Sequence, residues 1–334
     1  MKSRVSIPDQ RTLTSVEICA GAGGQALGLE QAGFKHVALV ELDDHACDTL
    51  RLNRPKWNVI QGDVRDFALN RAALYRGVSL VGGGVPCPPF SVAGKQLGAN
   101  DERDLFPIAL DIVEACEPDA VMLENVRGLL DRRFDDYRAQ ILERLDQLGY
   151  RGKWALLNAS DFGVPQLRPR AVLVALRKRI LGDEGFSFPA GVGRRPPAVG
   201  TKLYKAMSSR GWRGADEWKR QATSIAPTLV GGSHKHGGPD LGPTRAKRAW
   251  AAMGVNAHLL AKEPPGPDFV GAPHLTVEMA ALLQGFPKGW RFAGTKTAAY
   301  RQVGNAFPPP VARAVGRAII ELLSAAAPPA SLSA

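Results

Sequence analysis

Short apolar runs alternate with amphipathic stretches from Ser15 to Leu176. Val16 to Cys19 reads as a strand, followed by a glycine-rich turn. Gln25 to Ala32 then carries a helical pattern, and His36 to Leu42 a second strand. Further strands are predicted over Asn58 to Gln61, Ser79 to Gly82, Asp119 to Leu123, Lys153 to Asn158 and Ala171 to Leu176. Helices are predicted over Asp44 to Asn53, Leu105 to Cys116 and Tyr137 to Leu148. Strands separated by helices of this length predict an α/β fold, a mostly parallel doubly wound sheet covered on both faces. Ligands of such sheets gather at the carboxyl ends of the strands.

From Arg177 that rhythm is lost. Gly and Pro become frequent, and aromatic and basic residues interleave, which predicts a second, smaller loop-rich domain. A helical pattern returns over Thr276 to Gln284. Pro308-Pro309-Pro310 then starts a last apolar helix, Val311 to Leu323, with proline at a tolerated helix start. The expected division is 12–176 as the first part of one domain, 177–273 as the second domain, 274–324 as a return segment completing the first, and 325–334 as a frayed tail.

Composition narrows the class. The 334 residues are 45% hydrophobic and 22% charged. No apolar run approaches the roughly 20 residues of a membrane span. Met1 to Arg11 lacks the apolar centre of a signal peptide, so a cytoplasmic protein is expected. Four cysteines, at 19, 47, 87 and 116, form no C-x-x-C pair and have no His at zinc-ligand spacing. They read as free thiols, and no metal is expected. The net charge of +11 is concentrated: Arg177 to Pro273 holds sixteen Lys and Arg against seven Asp and Glu. A polyanionic partner fits that segment, as would a solvated basic surface.

The chemistry sits at predicted strand ends. Ala20-Gly21-Ala22-Gly23-Gly24 lets the backbone turn sharply and approach a ligand. Glu41 ends the second strand, where a carboxylate can bind ribose hydroxyls, and Asp63 ends the third, within reach of an adenine amino group. These residues point to an adenosine cofactor but leave nicotinamide dinucleotide and S-adenosylmethionine open. Ala26 stands where a dinucleotide fingerprint has its third glycine. Gly82-Gly83-Gly84-Val85-Pro86-Cys87-Pro88-Pro89-Phe90-Ser91 then holds a thiol in a rigid non-helical turn after an apolar strand. Glu124 follows three apolar strand residues and needs a partner, since an isolated buried carboxylate is costly. Gln166-Leu167-Arg168-Pro169-Arg170 adds two guanidinium groups before another strand.

At this point the chain resembles the DNA cytosine-5 methyltransferase family of bacterial restriction-modification systems. Its motifs match Glu17 to Gly24, Pro86-Cys87 with Phe90-Ser91, Glu124 to Val126, Gln166 to Arg170, Gly285 to Pro287 and Gln302 to Ala306, in the family's order. The resemblance implies a Rossmann-like, class I S-adenosylmethionine-dependent methyltransferase fold. It also implies methylation of carbon 5 of a cytosine rotated out of a specific duplex sequence. By that resemblance Cys87 is the nucleophile, and Glu124, Arg168 and Arg170 hold the base. The implied cofactor residues are Cys19, Ala20, Gly21, Ala22, Gly23, Gly24, Glu41, Leu42, Asp63, Val64, Pro86 and Asn305. Those implied at DNA are Ser91, Gln96, Thr228, Leu229, Gly231, Gly232, Ser233 and Lys235. Double-stranded DNA is the implied partner, with a restriction endonuclease in the same cell outside any stable complex, and a monomeric, nucleoid-associated enzyme. The sequence departs from the family pattern at Cys19, where a Phe is usual, and at Pro88, Pro169, Val277 and Ala281. Three alternatives are a tRNA-directed relative, a silent DNA-binding relative, and a nicotinamide dehydrogenase, which the Pro-Cys-Pro-Pro turn and the basic segment disfavour.

Overall fold

A computed structural model of the chain describes residues 12–86, 104–182, 185–232 and 240–326. Its strands are β1 Thr14–Ile18, β2 Lys35–Glu41, β3 Val59–Gln61, β4 Leu80–Gly84, β5 Ala120–Val126, β6 Tyr150–Asn158 and β7 Pro169–Arg177. They form one seven-stranded sheet in the order β3-β2-β1-β4-β5-β7-β6. β1 to β5 pair in parallel, whereas β7 runs antiparallel to both β5 and β6, so β7 alone is reversed. The helices are α1 Gly24–Ala32, α2 Asp44–Asn53, α3 Val64–Asn70, α4 Phe106–Cys116, α5 Asp135–Gln147, α6 Lys178–Leu181, α7 Val199–Met207, α8 Ala215–Gln221, α9 Thr244–Ala252, α10 Val277–Gln284, α11 Lys296–Asn305 and α12 Pro309–Ala325.

The central strands are apolar on both faces because both faces are covered. Ala120 to Leu123 and Ala171 to Leu176 are fully buried. Alternation sorts their side chains: Val81, Val121 and Leu173 join the cluster under α4 and α5, while Leu80, Met122 and Val174 join Leu29 of α1 and Val311, Val315 and Ile319 of α12. Helix starts follow local chemistry. The Asp43 carboxylate accepts the Ala46 N–H at 2.9 Å, and Thr276 and Thr295 cap α10 and α11 in the same way. α12 lies directly on α1, where a Cβ on Gly28 would overlap the Pro309 carbonyl and the Ala312 methyl.

The region expected to be loop-rich contains α7, α8 and α9. Their few apolar residues, among them Leu203, Trp218 and Trp250, meet in a third core. Leu283 of α10 and Tyr300 and Val303 of α11 belong to that same core, so within the stretch after residue 273 it is α12 that covers the sheet. These helices are short and each buries few side chains, which is why no helical period stood out. Among the described residues no helix is long and apolar enough to cross a membrane.

Candidate active site

Sheet order changes direction between β1 and β4, and the crevice there is the expected ligand position. A cavity of about 720 Å³ opens at the carboxyl ends of β1, β2, β4 and β5. That volume is in the range of small-molecule sites. Its room comes partly from β4, whose last three residues are glycines. A Cβ on Gly84 would stand 3.3 Å from Glu124 Oε2, and one on Gly82 would press on the Gln25 amide at 2.8 Å.

One side of the cavity is the turn after β1. The backbone is left-handed at Cys19 (φ 50°), Gly21 and Gly23. Glu41 is locked beneath it: Oε2 accepts the Gly21 N–H at 2.7 Å, and Oε1 accepts those of Leu42 and Asp43 at 2.9 and 2.8 Å. A carboxylate has about four acceptor sites, so capacity remains for a ligand hydroxyl. Burial raises the Glu41 pKa while the three N–H groups pull it back. Leu42 is left 65% exposed at the rim, an apolar side chain with little protein over it. A fixed acceptor, a turn open to close approach and an uncovered apolar side chain fit an adenosine.

Of the expected cofactor residues, Cys19, Ala20, Gly21, Ala22, Gly24, Glu41, Leu42, Pro86 and Asn305 line this cavity. Gly23, Asp63 and Val64 do not. A Cβ on Gly23 would face Leu50 and Trp290, Asp63 caps α3 and pairs with Arg65 at 3.1 Å, and Val64 is buried under the sheet. Asp43, Asp44, Arg301 and Gln302 line the cavity without having been anticipated. The Asp43-Asp44 pair, one residue beyond Glu41, was a readable helix-cap signal. Glu17, fully buried at the cavity floor, also escaped notice as a separate feature. Among the described residues neither of its oxygens accepts a hydrogen bond, although the Ala26 N–H leans toward it, and burial raises its pKa well above the ordinary range.

On the other side stands Glu124, buried, with Oε1 2.8 Å from Arg170 Nε. Burial lifts its carboxyl above the usual range, and the Arg170 guanidinium, with Arg168 behind it, pulls it part of the way back. Next along β5, the Asn125 amide donates to the Val85 carbonyl at 2.6 Å and pins the end of β4 to β5. The described chain stops one residue later at Pro86, which lines the cavity and accepts the Leu105 N–H at 3.3 Å. Cys87, Ser91, Gln96, Ser233 and Lys235 lie outside the described residues. Of the thiols that are described, Cys47 and Cys116 are buried and pushed up to about 12, and burial raises Cys19 further, so none is a ready nucleophile.

Arg168 is fully buried and donates to three backbone carbonyls, Leu229 at 2.8 Å, Gly304 at 2.7 Å and Ala306 at 2.9 Å, and it does not line the cavity. Leu229 and Gly231, expected at DNA, are buried as well, and the Thr228 hydroxyl donates to the Leu167 carbonyl. Gly232 is partly open and lines the cavity. Among the described residues no group of three or more His, Cys, Asp or Glu is placed to hold a metal.

A nearly parallel sheet with one reversed strand and its cavity at the switch point is the Rossmann-like fold of class I S-adenosylmethionine-dependent methyltransferases. The fold matches the crystal structure of a protein encoded in an E. coli prophage and assigned as a DNA modification methyltransferase, with a TM-score of 0.66 at 22% identity over 93% of this chain and 99% of that one. The particular family follows from sequence: residues 13–321 match the model of the C-5 cytosine-specific DNA methylases, and the chain belongs to that family. It is similar to the Type II methyltransferase M.NaeI of Lentzea aerocolonigenes, at 57% identity over 92% of this chain and 75% of that protein. It is also similar to the Type II methyltransferase M.NgoMIV of Neisseria gonorrhoeae, at 53% identity over 93% of this chain and 98% of that protein. The chain is a DNA cytosine-5 methyltransferase, and its family uses S-adenosylmethionine.

Proposed function

We propose that this chain methylates its cytosine through an adduct on Cys87, with Glu124 and Arg170 holding the base. The observation that carries the reading is Glu124, buried on the cavity that Pro86 also lines one residue before Cys87, and paired at 2.8 Å with Arg170 behind it. Residues 12–176 with 274–324 would form the catalytic body and 177–273 the recognition domain. The target must leave the duplex, a rotation of about 180° that costs a few kcal/mol. The Cys87 thiolate adds to carbon 6 of the base, forming an S–C bond and moving the ring electron pair toward carbon 5. Glu124, its carboxyl raised by burial, is suited to hold a proton at ring N3 and to accept from the exocyclic amine. Arg170 keeps Glu124 in place and presents donors to the ring carbonyl. S-adenosylmethionine, when bound in the cavity against Glu41 and Asn305, supplies an electrophilic methyl to carbon 5. Loss of the carbon 5 proton to a base then expels the Cys87 thiolate and restores the ring.

The proposed enzyme is a cytoplasmic monomer acting on chromosomal DNA; its likeness to Type II methyltransferases supports a cognate restriction endonuclease in the same cell, outside any stable complex. Bisulfite sequencing of DNA from cells expressing the protein tests the reading. Methylcytosine at one short sequence is expected, and none with Cys87→Ser. Wild-type transfer of labelled methyl to tRNA but not to duplex DNA would overturn it.

A further inference from the structure

We infer that Gln166 and Arg168 are positioning residues that lock the Thr228–Gly232 segment and the Gly304–Ala306 segment into one rigid joint. Through it, cofactor binding and DNA binding are coupled. The inference rests on the function proposed above, in which the cavity takes S-adenosylmethionine and the segment after Thr228 leads into the DNA-binding region.

The joint is built from groups that are costly to bury. Arg168 and Gln166 are both fully buried. The Arg168 guanidinium spans two segments distant in the chain, bonding Leu229 on one and Gly304 and Ala306 on the other. Gln166 repeats the arrangement beside it. Its carbonyl accepts the Leu229 N–H at 2.9 Å, and its amide donates to Gln284 Oε1 at 2.6 Å and to the Leu283 carbonyl at 3.2 Å. Gln284 in turn donates to the Ala306 carbonyl. An apolar side chain at either position would leave buried backbone carbonyls without a donor, so the two segments are held in register by directed bonds.

Two glycines complete the joint. A Cβ on Gly304 would overlap the Gly231 backbone, and a Cβ on Gly231 would overlap the Arg301 carbonyl and press on Asn305. The Asn305 amide donates to the Gly232 carbonyl at 3.2 Å. Gly232, Asn305 and Ala306 all line the cavity. A ligand that orders Asn305 therefore orders the 228–232 strip, and DNA that orders the strip orders the cofactor wall. Linkage makes the effect reciprocal.

The test uses the full chain, S-adenosylhomocysteine, and a short duplex carrying the site found by bisulfite sequencing. DNA affinity is measured with and without saturating S-adenosylhomocysteine, and S-adenosylhomocysteine affinity is measured without DNA. The wild type should bind DNA about tenfold tighter with the nucleoside, within the usual range of coupling. Arg168→Lys shortens the brace. Gly304→Ala suits a helix but breaks the glycine contact, so it decides the matter if the lysine variant does not fold. In either folded variant the ratio of DNA affinities with and without S-adenosylhomocysteine should fall to within about twofold of one. Wild-type coupling retained in a folded variant overturns the inference, as does a wild type that binds both ligands without coupling. A wild type that binds no DNA removes the functional reading and the joint's role together.

Discussion

Two glutamates meet the same cavity in opposite surroundings. Glu124 has a guanidinium at 2.8 Å, whereas Glu17, on β1, is fully buried with no hydrogen bond to either oxygen among the described residues. Burial raises the Glu17 pKa in the folded protein above its unfolded value. Its contribution to stability is then complete below the unfolded pKa of about 4.3 and declines as pH rises toward the folded pKa. Glu17→Gln removes the ionisation and keeps the shape. Melting temperatures of the ligand-free proteins should nearly coincide near pH 4. The variant should then move ahead as pH rises to neutrality, by roughly 2 °C for each kcal/mol in a chain of this size. Parallel melting curves across that range would refute the assignment. Charge at this position could not be read from the sequence, because burial alone makes a glutamate unusual, and burial was not visible before the fold was.

At the scale of elements, the seam between α1 and α12 is set by contact rather than by propensity. Gly28 has no side chain where α12 crosses, and a Cβ on Gly316 would stand 3.0 Å from the side chains of Ala32 and Leu29 on the other helix. Gly28→Val should force α12 away from the sheet and lower the melting temperature by roughly 5 °C or more, since overpacking costs typically 1–3 kcal/mol and here meets backbone. Gly266→Val, where a Cβ meets open space, should change it little. Equal melting temperatures for the two variants would mean that the seam yields without cost.

The same scale explains what could be read in advance. β1 and β2 were legible as short apolar runs, α2 by its helical period after the Asp43 cap, and α12 by its apolar period after a proline start. α8 and α9 were not: α8 has seven residues, and α9 buries Trp250 alone. α11 was recognisable as a motif but not as a helix, since its buried residues, Ala298, Ala299, Tyr300, Gln302, Val303 and Gly304, mix small and polar groups and give no apolar period. In the site, Glu41 and Glu124 stood out as acids at strand ends. Arg168 and Arg170 were indistinguishable, because two residues along a strand share a face, and only the packing beyond decides which one meets carbonyls.

Across the whole molecule, charge decides how the protein meets its substrate. In the basic segment, Arg177, Lys178, Arg179, Arg210, Arg213 and Lys247 pair with carboxylates of the chain itself. Arg194, Arg195, Lys202, Lys205, Arg245 and Arg248 have no such partner among the described residues, and Arg194 and Arg195 are exposed. Unpaired cations of this kind displace counterions from phosphates. DNA affinity should therefore fall by about 10³-fold between roughly 50 and 200 mM salt if about six phosphates are engaged. Replacing Arg194 and Arg195 by Glu should flatten the slope of log affinity against log salt by one to about two. An affinity indifferent to salt would exclude the segment from the phosphate backbone.

The inversion of β7 has a topological consequence. The 9 residues of β7 span roughly 30 Å, from one border of the sheet to the other. Had β7 followed its neighbours, its first residues would open on the opposite border, and Arg170 could never shake hands with Glu124. One about-turn in the chain thus delivers acid and cation, carried by separate strands, to a common doorstep.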